Sequence, residues 1–166
     1  MNEFVLQFAR KHKALFSGKI IDVGAFNVNG ALSSELPITL RVDMRKGKGV
    51  DQICKGEDLI KTFGENSFDC VVSGDMLEHA FDWRGCVNNM WGVLKDDGYL
   101  LLTMAHHQKG RHAYPDDYWR FKPDKFRSLF DGNPIIDHFA NQPSIGVIVQ
   151  KKTKTLDLSL EPIKVP

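Results

Sequence analysis

Four short apolar runs, "KIIDVGA", "ITLRVDM", "FDCVVSGDM" and "GYLLLTM", are continuous rather than alternating in hydropathy. A strand with that pattern buries both of its faces, as in a parallel sheet covered by helices on each side. The first run stops at Gly24, the second at Asp43, the third at Gly74 and Asp75. Between the last two runs, Trp83, Val87, Met90, Trp91 and Leu94 recur at helical spacing, and "KDDG" follows as a closing turn. Strand, helix and strand there form a βαβ crossover.

Phe4, Val5, Phe8, Leu15 and Phe16 lie on one helical stripe ahead of these runs, with Gly18 as a C-terminal stop. "VDQICK" reads as a short strand, and "PDKFRSLF" as a helix opened by Pro123. "PIIDHF" and "SIGVIVQKK" read as a hairpin that turns through Asn141, Gln142 and Pro143. The expected architecture is α/β: a Rossmann-like, doubly wound seven-strand sheet, mostly parallel, with an antiparallel C-terminal hairpin. Residues 1–152 form a single domain in this reading, and 153–166 a loosely held tail.

A chain of 166 residues, 42% hydrophobic, buries one core without staples. Its 22 basic and 21 acidic residues give no field that would recruit nucleic acid or an anionic membrane. Cys54, Cys70 and Cys86 are odd in number and widely spaced, which suggests neither a disulfide framework nor a zinc knuckle and points to a reducing compartment. No window approaches the ~18 apolar residues of a membrane span, and the N-terminus lacks a signal-peptide pattern, so the reading is cytoplasmic.

In a doubly wound sheet the ligand sits beyond the carboxyl ends of the strands. The informative residues are therefore Asp22 to Gly30, Asp43, Glu57 with Asp58, Gly74 with Asp75, and the stretch after Met104. Where a dinucleotide fingerprint places its second and third glycines, this chain has Phe26 and Asn29, which disfavours a pyrophosphate against the backbone. A nucleoside ligand without phosphates needs only a tight turn at Gly24 and an acid one strand later. Asp43 meets the second need, since a carboxylate can accept from both hydroxyls of a ribose.

With "IIDVGAFNVNGAL", "LRVDMRKGKGVD", "FDCVVSGDMLEHAFDWRGCVNNMWGVLKDDGYLLLT" and "HAYPDDYWRFKPDKF" in order, the chain resembles the class I S-adenosylmethionine-dependent methyltransferases, close to methyltransferase type 11. The resemblance runs from about Lys19 to Phe130. It implies S-adenosylmethionine as cofactor and S-adenosylhomocysteine as product. Asp22, Gly24, Ala25 and Phe26 would form the loop at the methionine part, Gly30 would be a further cofactor-binding position, and Asp43 would hold the ribose. Met44 would lie against adenine, with Glu57 and Asp58 near its edge. Gly74, Asp75 and Met76 would line the floor beside the sulfonium. The chain departs from the family at Phe26, often glycine, and at Lys55, often an aspartate.

Methyl transfer is an in-line displacement that depends mainly on alignment in a dry site, so few catalytic side chains are obligatory. Candidates cluster in "HHQKGRHAYPDDYWRF", after the fourth run, where His107, His112 and Asp117 are the catalytic choices. The acceptor is expected to be a small molecule or glycan-like compound methylated on oxygen or nitrogen. The loop from His106 to Arg120 is expected to close over it, hinged at Gly110 and stiffened by Pro115. A partner chain or second copy is the other way to complete that side. The runner-up is a non-catalytic module that binds the same cofactor. No metal is expected, because His106, His107 and His112 with Asp116 or Asp117 match no familiar ligand spacing. His79 reads as structural, and Asp75 either caps a helix or faces the cofactor. Tyr118, Trp119, Arg120 and Phe121 are expected to pack the loop down, with Arg120 paired to Asp116 or Asp117.

Overall fold

The computed structural model describes residues 2–27, 30–112 and 117–165. Its main sheet contains β1 (Ile20–Val23), β2 (Leu40–Asp43), β3 (Gln52–Ile53), β4 (Phe68–Ser73), β5 (Leu94–Ala105), β7 (Ile135–Asn141) and β8 (Ser144–Gln150), in the order β3-β2-β1-β4-β5-β8-β7. The first five of these pair in parallel, and β8 runs antiparallel between β5 and β7. The seven-strand α/β sheet with an antiparallel terminal hairpin is thus as expected. The chain reverses its winding between β1 and β4, and a cleft opens at the carboxyl ends of strands on either side of such a reversal.

Both faces of the sheet are covered, which explains the continuous apolar runs. Ile21, Val23, Val71, Leu100, Leu102 and Met104 face one core with α3 (Trp83–Val93) and α4 (Pro123–Ser128). Ile20, Cys70, Val72 and Leu101 face the other, against Val5, Phe8 and Ala9 of α1 (Glu3–Lys11). The short α2 (Leu59–Phe63) follows β3. In α3, Asp82 caps the N-terminus by accepting from Gly85 N–H at 2.9 Å, and both tryptophans are core, as expected.

Three local expectations change. The leading helix stops at Lys11, and Leu15 lies in a separate 3₁₀ turn at Lys13–Leu15, so the apolar stripe is not one helix. Phe4, expected in the stripe, is exposed. "KDDG" is an excursion within β5 rather than a turn ahead of it: Leu94 pairs with Phe68, and pairing resumes at Tyr99 with Cys70, with Asp97 at φ +65° between.

The tail is held down rather than loose. Leu156, Leu158 and Leu160 pack on the larger core, and the Arg84 guanidinium donates to the carbonyls of Leu158 and Leu160 at 2.8 and 2.9 Å. β9 (Ile163–Lys164) then pairs antiparallel with β6 (Trp119–Arg120), fastening the end of the chain to the segment after β5. Arg84 also pairs with Glu161 at 2.8 Å, an exposed contact 77 residues along the chain that spacing alone does not reveal.

Candidate functional site

The cleft at the carboxyl ends of β1, β2 and β4 is a cavity of about 590 Å³. Its wall includes Asp22, Gly24, Ala25, Phe26, Gly30, Asp43, Met44, Glu57, Gly74, Asp75 and Met76. Of the cofactor positions expected from sequence, Asp58 alone is absent from that wall; it lies at the start of α2. At one end the wall continues through His79, Phe81, Lys109, His112 and Tyr118.

The β1 turn is shaped by Gly24 at φ +82°, and the N–H groups of Gly24 and Ala25 both donate to Val42 O, at 2.9 and 3.0 Å. A glycine is needed for the left-handed backbone and for the approach of Met76. Asp43 closes the same turn: one carboxylate oxygen accepts from Phe26 N–H at 3.3 Å and the other from Arg45 N–H at 2.9 Å. Each oxygen keeps a lone pair for a ligand.

Asp22 is buried, and no hydrogen bond reaches its carboxylate among the described residues. Burial, opposed by Arg41 and reinforced by the Asp43 charge, raises its pKa to about 7. Phe26 lines the cavity, and its ring also packs against the loop after β2. It lies against Gly47, where a Cβ would stand 2.0 Å from the ring, and beneath the Arg45 guanidinium 5.0 Å from its centroid. The phenylalanine is tolerated because it clamps the loop after β2.

Asp75 is a turn residue at φ +50°. Its carboxylate accepts from Thr103 Oγ1 and Ser144 Oγ, both at 3.0 Å, and from Asn2 Nδ2 at 3.3 Å. It caps no helix: the following 3₁₀ turn, Leu77–His79, has Met76 at its cap position.

The loop beyond β5 is built around Arg120, only 2% exposed. All five guanidinium donors are used, on both Asp117 oxygens and on the carbonyls of Lys109, Gly110 and Trp119. Arg120 thus pairs Asp117 and fixes the stem on either side of residues 113–116; Pro115 and Asp116 lie outside the described residues. Trp119, Arg120 and Phe121 pack the segment down as expected. Tyr118 instead lines the cavity, with its ring 5.5 Å from that of Phe81.

Asp117 also accepts from His112 N–H at 2.9 Å and stands 3.0 Å from His112 Nδ1. Burial pushes the Asp117 pKa up, but the bonds from Arg120 and His112 outweigh it and hold the group at about 2. Burial, with Lys109 nearby, lowers the His112 pKa. His112 reaches the cavity and His107 does not: the His107 ring stacks on His106 with centroids 4.3 Å apart. Three residues at this end were not chosen from sequence: His79 and Phe81 in the wall, and Glu78 buried behind it. They directly follow the third apolar run, and the strand-end logic that selected Gly74 to Met76 extends to them.

The family model for "Methyltransferase domain" matches residues 38–102. Cycloartenol-C-24-methyltransferase of Arabidopsis thaliana is 32% identical over 84 residues, 47% of this chain and 25% of that protein. The chain therefore spans about a quarter of the length of that curated relative. The fold matches the YcgJ protein of Bacillus subtilis with a TM-score of 0.66 at 16% identity, covering 92% of this chain and 100% of that one. It also matches the 1,6-didemethyltoxoflavin-N1-methyltransferase of Burkholderia thailandensis, solved with S-adenosylhomocysteine, with a TM-score of 0.67 at 13% identity over 91% of this chain and 78% of that one. Residues 38–102 thus match a methyltransferase domain, and the chain as a whole shares the α/β frame of these solved structures.

Proposed function

We propose that the chain is a methyltransferase that binds S-adenosylmethionine in the β1–β2–β4 cleft and methylates an oxygen or nitrogen of a small molecule or glycan-like acceptor. The observation that carries this reading is the fit of the cleft to a phosphate-free nucleoside. Asp43 has one lone pair left on each oxygen, and the Gly24 and Ala25 amides are spent on Val42 rather than offered to a pyrophosphate. When bound, the cofactor supplies an electrophilic methyl carbon on a cationic sulfur.

The chain's own residues do the rest. Asp43 fixes the ribose and Met44 offers an exposed apolar surface for the base, with Glu57 at its edge. The Asp22 carboxylate, to which no hydrogen bond is donated among the described residues, suits the cofactor's ammonium group. Phe81 and Tyr118 form an aromatic lip for the acceptor, and the group of Glu78, His79 and His112 stands beside it. An aromatic lip of this kind suits the apolar face of a sugar or a small ring.

Thermal melting with S-adenosylhomocysteine and with NAD, each at saturating concentration, tests the cofactor reading. Stabilisation by the first alone is the expected result. Equal responses to both, or to neither, would sink it. A methyl-release assay over hydroxyl and amine acceptors then separates an enzyme from a binding module.

A further inference from the structure

Glu78, His79 and His112 each bring a ligand atom within 4.8 Å of the other two, from the turn after β4 and the loop beyond β5. We propose that these three side chains hold a divalent transition-metal ion at the acceptor end of the cavity. Two imidazoles and one carboxylate suit zinc and its first-row neighbours, and a three-residue protein set leaves a coordination position open for substrate.

The orientation of His112 is the first support. Its Nδ1 lies 3.0 Å from Asp117 Oδ2 and 3.3 Å from Arg120 Nη2. That Nη2 already donates to Asp117 Oδ2 at 2.7 Å and to Gly110 O at 3.2 Å, so the ring proton sits on Nδ1 and points at the carboxylate. His112 Nε2 is left with its lone pair, 3.9 Å from Glu78 Oε1. Ligands of one tetrahedral zinc stand roughly 3.4 Å apart, so closing on an ion needs only a small inward movement. A carboxylate that fixes the far nitrogen of a histidine is the usual support for a metal-bound imidazole.

Glu78 is the second support. It is wholly buried, and its Oε2 has no hydrogen-bond partner among the described residues. Among the described residues its Oε1 accepts only from Ala105 N–H, at 3.2 Å. A buried carboxylate so poorly served is costly unless a cation completes it. The charged neighbours leave room for one: Asp75 and Asp117 stand against Lys109 and Arg120, and Arg120 is committed to Asp117.

What the ion does rests on the methyltransferase reading. It would polarise an acceptor hydroxyl, whose proton passes to solvent. The oxygen then forms its bond to the methyl carbon while the carbon–sulfur bond breaks and its electron pair returns to sulfur. His112 is a ligand in this scheme and not a base.

The test uses the EDTA-stripped protein, titrated with Zn²⁺ alone by calorimetry and with Co²⁺ by visible absorption. One ion per chain is expected, at micromolar affinity or tighter, with a cobalt spectrum of nitrogen and oxygen ligation. His79→Ala and His112→Ala, checked for folding by circular dichroism, should each weaken Zn²⁺ at least about tenfold; His79→Gln replaces either variant that fails to fold. Absence of stoichiometric binding, unchanged affinity in the folded variants, or a thiolate charge-transfer band would overturn the site. S-adenosylhomocysteine melting on the same samples keeps the two readings apart: an ion bound without cofactor response retains the metal and discards the methyltransferase, and the converse does the reverse.

Discussion

Gly24 and Met76 are packed so closely that a Cβ on the glycine would fall 2.3 Å from Met76 Cγ. The contact joins the turn after β1 to the end of β4 across the winding reversal, so the loop and the floor of the cavity are set together. Gly24→Ala must take up a left-handed backbone at a cost of roughly 1–2 kcal/mol and also displace Met76. Its expected outcome is a lower melting temperature and a loss of S-adenosylhomocysteine affinity of about tenfold or more. Gly110→Ala is the control, because nothing lies within 4 Å of its Cβ position. Equal effects of the two changes in a paired melting and calorimetry experiment would show that the Gly24 contact has no special weight.

Much of this frame was legible because burial on two faces leaves a one-dimensional mark, and the runs ending at Gly24, Asp43 and Gly74 locate the cleft directly. Side-chain direction left no such mark. Phe26 sits in the cofactor loop by sequence, yet its ring turns to Gly47 and Arg45, which a spacing argument cannot see. His107 and His112 look equivalent in "HHQKGRH", and only the Asp117–Arg120 pair decides which one faces the cavity. The tail's docking depends on Arg84 meeting two backbone carbonyls and Glu161 more than 70 residues away, a long-range match that local spacing cannot see.

Asp43→Ala removes two acceptors for the ribose and also releases the Phe26 and Arg45 amides. A net loss of about 1.5–3 kcal/mol, the worth of one charge-assisted bond, sets the scale, so S-adenosylhomocysteine affinity should fall by roughly ten- to a hundredfold. Binding as tight as in the parent, measured by calorimetry, would show that the ribose is held elsewhere.

Arg120→Met leaves the Asp117 carboxylate buried with only His112 to serve it. Removing one partner of a buried pair typically costs about 3–5 kcal/mol, and urea unfolding should show a loss of that order. The double variant Arg120→Met with Asp117→Asn should recover part of it, since no charge is then stranded. If the double variant is worse than the single by the full cost of a second lesion, the two residues are not coupled.

Asp22 makes stability and binding depend on pH in opposite directions. Its carboxyl titrates near 7 in the fold, chiefly because burial disfavours the charge, against the ordinary 3.8. Below pH 4 the group is protonated in both states and costs nothing. As pH rises towards 7 the unfolded chain releases its proton while the folded chain retains it, so stability falls, by an amount on the order of 4 kcal/mol once the folded group has ionised. Asp22→Asn lacks this term, so the unfolding free energy of the parent minus that of the variant should fall by about that amount across pH 4–7, in the variant's favour, and level off above it. A cationic ligand end favours the ionised carboxylate, so S-adenosylhomocysteine affinity of the parent should increase from pH 6 to pH 8 and flatten in the variant. A parent affinity that is level over that range would place the ligand's ammonium group away from Asp22, even with the stability profile intact.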